Sequence, residues 1–226
     1  MTGHAVVTGV SSGIGAAVAG RLLDEGWRVT GLSRGAPEPR DGLGWIPADL
    51  AEPAAVPGAV AGLGPVDALV HAAGLQRTGR LGSLDAADGD LMWRVHVAAA
   101  AELAGALLDR ITGGGRIVLI GSRTAGGAPG KSQYAATKAA LAGMARSWAA
   151  ELVDRRITVN VVAPGPTETP MLADPGRAAT PPLLPPLGRR VRPAEVAALV
   201  ALLVGPDGGA ITGQTITVCA GTSLPR

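Results

Sequence analysis

The sequence predicts an α/β domain built as a single doubly wound parallel sheet of about seven strands, with helices on both faces. Three observations predict it. Short apolar runs recur along the chain and are continuous, not alternating, as strands buried on both faces should be. Segments of helical length separate them, so that strand and helix succeed each other in βαβ order. Glycines, small residues or single polar residues fall where the runs end, at the edge of such sheets where ligands gather.

The 226 residues suit one domain, taken as 1–226. With 47% hydrophobic and 17% charged residues the chain reads as globular, and its 20 basic and 18 acidic residues are mixed. No basic block or interleaved aromatics point to a nucleic acid. The single Cys219 cannot close an internal disulfide, and the start MTGHAVVTGV lacks the basic flank and long apolar core of a signal peptide. Apolar runs such as Val196 to Val204 fall short of the ~20 residues of a membrane span. A cytoplasmic, non-membrane protein without a metal site is expected.

His4 to Thr8 reads as a buried strand, and Gly9 to Gly15 as a glycine turn opening a helix that runs to about Glu25 and stops at Gly26. Free N–H groups and the dipole at that N-terminus suit a pyrophosphate; a tight turn alone explains the same glycines. Arg28 to Leu32 is a second strand. At its end Ser33 and Arg34 stand where an Asp or Glu would bond the ribose of NAD, and the guanidinium favours the 2′-phosphate of NADP over NAD; the alternative is a solvated loop arginine.

A third strand, Trp45 to Ala48, leads to Asp49 and Leu50. Asp49 suits an adenine amino group or, equally, a helix cap. Ala68 to His71 is a fourth strand, followed by Ala72, Ala73 and Gly74, which leave room for a nucleotide edge or for close packing. A long helix spans Asp88 to Arg110 and carries Trp93 and His96.

Ile117 to Ile120 is a fifth strand and delivers Ser122 to its tip; a glycine-rich loop then enters a helix with Tyr134, the only tyrosine, and Lys138. Four residues apart, these two share a helical face. A phenol has a reference pKa of about 10, and a neighbouring cation lowers it, so such a Tyr exchanges protons nearer neutral pH. The bland reading is a core Tyr beside a surface Lys. Thr158 to Ala163 is a sixth strand ending in Pro164-Gly165-Pro166, a last helix begins near Pro193, and Thr215 to Val218 closes the sheet.

These motifs resemble the short-chain dehydrogenase/reductase family along nearly the whole chain. The resemblance rests on Thr8-Gly9-Val10-Ser11-Ser12-Gly13-Ile14-Gly15, on Ser122 with Tyr134-Ala135-Ala136-Thr137-Lys138, on Asn160-Val161-Val162-Ala163-Pro164-Gly165 followed by Thr169, and on Gly213-Gln214-Thr215-Ile216. It implies a Rossmann-type sheet and hydride transfer between NADP(H), or less favourably NAD(H), and a carbonyl compound. Tyr134 would be the general acid/base. Lys138 would bind the nicotinamide ribose and lower the tyrosine pKa, and Ser122 would orient the carbonyl. It further implies cofactor contacts from Gly9, Ser11, Ser12, Gly13, Ile14 and Gly15, then Ser33, Arg34, Asp49, Leu50, Ala72, Ala73 and Gly74, and finally Pro164, Gly165, Thr167 and Thr169.

The departures are specific. Where the family commonly has Asn-Asn-Ala-Gly, this chain has His71-Ala72-Ala73-Gly74, so the asparagines' bonds to the sheet are replaced or absent. A family asparagine whose main-chain carbonyl joins a water relay to the lysine is His96 here. The relay is expected to survive; the rivals are a His96 that joins proton transfer directly and one that is merely packed. Cys219-Ala220 stands where aspartate-glycine is often found and reads as structural.

Residues about 170–192 should form a proline-stiffened lid, whose Leu and Pro content suggests an apolar ketone or aldehyde. Arg177, Arg189 and Arg190 would instead serve an acidic or carrier-linked substrate such as a 3-oxoacyl thioester, or stay solvated. The small-residue helices at 88–110 and 133–153 and the resemblance imply a homodimer or homotetramer. A dinucleotide-binding sensor or scaffold without turnover is the alternative function.

Overall fold

The computed structural model describes residues 3–175, 180 and 183–225. Seven strands form one sheet: β1 (His4–Thr8), β2 (Arg28–Ser33), β3 (Leu43–Pro47), β4 (Val66–His71), β5 (Ile111–Ile120), β6 (Thr158–Pro164) and β7 (Thr215–Val218). Their order is β3-β2-β1-β4-β5-β6-β7, every neighbouring pair is parallel, and the winding direction reverses between β1 and β4. That switch point is where a parallel sheet opens a crevice at its carboxyl edge.

The inner strands are largely continuous apolar runs because both faces are covered, whereas the edge strands β3 and β7 are partly exposed. In β1, Val6 joins a core with Leu103 and Leu107 of α4 (Ala99–Leu107) and Leu141 of α5 (Ser132–Glu151). Its neighbours Ala5 and Val7 join the opposite core, with Val18 and Leu22 of α1 (Gly13–Asp24) and Val196 and Val200 of α6 (Pro193–Val204). Helix α6 starts with Pro193 in its first turn, and the Glu195 carboxylate accepts the Arg192 N–H at 2.9 Å. A short α2 (Val56–Val60) completes the first layer.

All seven expected strands are present; β1 and β7 have the expected ends, and the other five shift at one or both ends. Strand β5 begins at Ile111, six residues before the apolar run. A register shift between Val66 and Ala68 lets Ile111 pair ahead of the Gly113–Gly115 stretch, and Arg155 and the Thr112–Asp67 bond hold that start. The single long helix expected over 88–110 is four pieces: α3 (Ala86–Trp93), a π turn (Arg94–Ala98), α4, and a 3₁₀ turn (Leu108–Arg110). It starts earlier because the Asp85 carboxylate accepts from the N–H groups of Ala87 (2.8 Å) and Asp88 (3.4 Å). Ala86–Arg110 is long and apolar enough to cross a membrane by length and composition. Half of its most apolar window is buried in the fold, however, with Leu103 and Leu107 inaccessible, which makes it a core helix.

The turn after β1 is closely packed backbone on backbone. Gly9 has φ +75°, and a Cβ on Gly15 would stand 2.3 Å from the Gly9 carbonyl oxygen and 2.8 Å from that of Thr8. Backbone cannot yield as a side chain does. Gly15→Ala is expected to cost about 1–3 kcal/mol, whereas Gly143→Ala, on α5 with open space around it, is expected to stabilise by about 0.5–1 kcal/mol. Denaturant midpoints of the two variants check both.

Candidate active site

Residues of the first three motifs line one cleft of about 1170 Å³ at the carboxyl edge of the sheet; Gly213-Gln214-Thr215-Ile216 does not reach it. Gly9 to Gly15 lie at its base, except Val10, which is core. Ser33 and Arg34 follow from the end of β2, Asp49 and Leu50 from after β3, and Ala72 to Gly74 from after β4. Ser122 comes from the end of β5, Tyr134 and Lys138 from α5, and Pro164, Gly165, Thr167 and Thr169 from after β6. Strand ends supply most of them because parallel pairing brings all carboxyl ends to one side.

The residues present fit a dinucleotide. Ser12 is the N-cap of α1 but makes no side-chain cap bond, and no acidic residue stands in the first turn, so that helix end is open to an anion. Arg34 is exposed at the end of β2 and pairs with no carboxylate among the described residues. Ser33 shapes that loop: its hydroxyl donates to the Gly35 carbonyl at 2.7 Å and accepts the Trp45 indole N–H at 3.2 Å. One oxygen of Asp49 accepts the Ala51 N–H at 2.9 Å within a turn; the helical segments that follow have Glu52 and Ala55 at their N-caps, so Asp49 is not a helix cap.

At the chemical end, Ser122 caps a 3₁₀ turn (Arg123–Gly126), and its Oγ accepts the Thr124 N–H at 3.1 Å, which leaves its hydrogen to donate. Lys138 is buried and its Nζ donates to the Ile120 carbonyl at 2.8 Å. Burial pushes its ammonium pKa down to about 7. The Nζ lies 6.0 Å from the centre of the Tyr134 ring, and the ring of His96 meets Tyr134 edge-on at 5.6 Å.

The two histidines are fixed by partners far away in the chain. Thr137 Oγ1 donates to the Tyr134 carbonyl at 2.9 Å, so it accepts from His96 Nδ1–H at 2.8 Å; His96 Nε2 then accepts the Leu75 N–H at 3.1 Å. His71 Nε2–H donates to the Val95 carbonyl at 3.0 Å, and its Nδ1 accepts from Thr8 Oγ1 at 3.2 Å. That oxygen also accepts the N–H groups of Ala72 (3.0 Å) and Ala73 (2.9 Å). His71 thus replaces the bonds an asparagine would make. Burial first, then the Lys138 charge, pushes His71 down to about 4 and His96 well below its ordinary value.

Thr137, Leu75, Arg77 and Arg123 also line or brace the site. Only Thr137 sat inside a recognised motif. Arg77 pairs with Asp174 on the lid at 3.0 Å and with Asp88 at 3.5 Å. The base of the lid is pinched where Thr167 bridges Val191. Arg189 is held by both Glu195 oxygens at 2.7 Å, so the expectation that it serves an acidic substrate fails: its guanidinium is already neutralised. Arg190 is exposed, and Arg177 lies outside the described residues.

A parallel sheet with an anion-ready first helix and a Ser, Tyr and Lys at its carboxyl edge defines a dinucleotide-dependent oxidoreductase of the Rossmann type. Residues 9–223 match the family model described as enoyl-(acyl carrier protein) reductase. The chain belongs to the short-chain dehydrogenase/reductase family. It is 35% identical over 257 residues to a putative ketoacyl reductase of Streptomyces coelicolor, covering 96% of this chain and 95% of that protein. Solved structures are similar as well. One is a blue fluorescent protein from a metagenomic library in complex with NADPH (TM-score 0.87, 35% identity, 99% and 98% of the two chains). Another is a 3-ketoacyl-(acyl-carrier-protein) reductase from Brucella melitensis with NADH (TM-score 0.86, 27% identity, 98% of each chain).

The histidine lock makes stability pH-dependent. Below pH 6.5 the unfolded chain binds a proton at His71 that the folded chain refuses until about pH 4, so stability falls as pH drops through that window. His71 should account for about 2 kcal/mol lost between pH 7 and pH 5. In His71→Asn that share of the loss disappears, as denaturant melts at the two pH values will read.

Proposed function

We propose that this protein interconverts a ketone or aldehyde and the corresponding alcohol with NADP(H), with Tyr134 as the general acid/base. The observation that carries the reading is the buried pair on α5: the Tyr134 ring with the Lys138 ammonium 6.0 Å from its centre, in the same cleft as the donor-ready Ser122 hydroxyl. The bound cofactor supplies or accepts the hydride. In reduction, Ser122 holds the carbonyl oxygen with its free hydrogen while Tyr134 delivers a proton to it. The charge that gathers on that oxygen is met by donors already in place. Lys138, with donors left beyond the Ile120 bond, binds the nicotinamide ribose, and its field favours the phenolate form of Tyr134.

Arg34 supports NADP over NAD, because a cation and no carboxylate ends β2, and a 2′-phosphate matches a guanidinium. The similar metagenomic protein holds NADPH, and the Brucella melitensis reductase NADH. Leu91, Met171, Leu172, Leu183 and Leu184 give the cleft an apolar wall for the substrate body. The exposed stripe Ala136, Ala139 and Gly143 on α5 supports association through close helix packing, as a homodimer or homotetramer. The single cysteine supports a reducing cytoplasm.

Tyr134→Phe is expected to lower kcat by about 10²–10⁴-fold with cofactor affinity nearly intact, in steady-state assays with NADPH over a carbonyl panel. Comparable turnover in that variant removes Tyr134 from the chemistry, and cofactor binding by the wild type without turnover across the panel favours the sensor reading. Arg34→Asp is expected to shift preference toward NAD(H); an unchanged ratio of NADPH to NADH dissociation constants contradicts the role given to Arg34.

A further inference from the structure

Arg123 follows Ser122 directly and opens the 3₁₀ turn that Ser122 caps; it lines the same cleft. Its Nε is buried and makes no hydrogen bond, and no carboxylate among the described residues pairs with its guanidinium. Two other arginines near the cleft are neutralised: Arg77 by Asp174 and Asp88, and Arg189 by Glu195. On the lid, Thr180 Oγ1 lines the cleft too and is buried with no hydrogen bond among the described residues.

A guanidinium is always charged, and a buried donor left unpaired costs stability that folding has to offset. Nothing in the cofactor's binding path needs this charge, because the helix end of α1 and Arg34 serve the phosphates at the far side of the sheet edge. We infer that Arg123 is an anion subsite of the substrate pocket, and that the substrate is an oxo acid: a carbonyl compound with an apolar body and a carboxylate. The planar fork of the guanidinium takes both carboxylate oxygens, Thr180 donates to one of them, and Met171 and Leu172 cover the chain between. This deepens the reductase reading and rests on it. It also replaces the wholly apolar substrate suggested by the lid's composition.

The test uses one aliphatic oxo acid, its methyl ester and its neutral thioester, with saturating NADPH, on the wild type, Arg123→Gln and Arg123→Lys, each checked for folding by its melting temperature. The wild type is expected to favour the acid in kcat/KM by about 10–100-fold. Arg123→Gln should cut that ratio at least tenfold, by about the worth of one charge-assisted pair. Arg123→Lys should keep part of it, since a point charge lacks the fork. A wild type that prefers ester or thioester, or an acid preference that survives in Arg123→Gln, overturns the assignment. Absence of turnover with all three compounds counts against the reductase reading instead. The subsite is then decided by calorimetry with the saturated carboxylate of the same skeleton: binding lost in Arg123→Gln supports it, and no binding, or equal binding in both proteins, overturns it.

Discussion

An amine enclosed by protein at the end of β5 is the constraint that the rest of the cleft answers to. Burial lowers the Lys138 pKa from 10.5 to about 7, which by linkage disfavours its charged form by on the order of 5 kcal/mol. The Ile120 carbonyl is the acceptor that holds it. A second positive charge nearby would push the amine further toward neutrality, so its neighbours have to be neutral or negative. Both nearby histidines are held neutral, and the group it faces, the Tyr134 phenol, is one that becomes negative when it gives up a proton. In the proposed chemistry the two ionisations therefore support each other: the phenolate raises the affinity of Lys138 for its proton, and the ammonium stabilises the phenolate.

The histidines show how that neutrality is enforced by hydrogen-bond direction and not by burial alone. The Val95 carbonyl can only accept, so His71 carries its hydrogen on Nε2. The Leu75 N–H can only donate, so His96 carries its hydrogen on Nδ1. Protonating either ring would set two hydrogens against one another, at the Thr8 hydroxyl in one case and at the Leu75 amide in the other. Proton transfer through the His96 imidazole, one of the three readings the sequence left open, conflicts with this arrangement. The ring is a spacer between the loop after β4 and the Tyr134 face of α5.

The sheet was legible because most of its strands contain a short apolar run rich in β-branched residues and end near a glycine or a polar residue, and burial on both faces makes that run continuous in the inner strands. The cofactor turn and the Tyr134/Lys138 pair were legible because their partners lie within a few residues of each other. What could not be read depends on contacts between distant segments. The start of β5 is glycine-rich and is a strand only through the register shift beside Ala68. The π turn around His96 follows from tertiary contacts that no periodicity records. Pairing of Arg189 with Glu195, and the lack of a carboxylate partner for Arg123 among the described residues, are facts of packing; in the sequence the two residues look alike.

Histidines stand where the resemblance places asparagines, and their rings bridge segments far apart in the chain. Thr8, His71, the Val95 carbonyl on the π turn, His96, Thr137 and the Tyr134 carbonyl tie β1 and β4 to α5. An imidazole reaches further than an amide, and it needs space in return: a Cβ on Gly74 would lie 3.1 Å from His96 Nε2 and 3.5 Å from Lys138 Nζ. Gly74, a glycine in the family's pattern as well, thus leaves the space that the histidine on the π turn occupies. Because each hydrogen in these bonds already has its acceptor, the network has no slack to rearrange during turnover. Beside this network, the Ser122 hydroxyl and the remaining hydrogens of Lys138 face the cleft with the Tyr134 phenol, where in the proposed chemistry a carbonyl oxygen and a ribose bind.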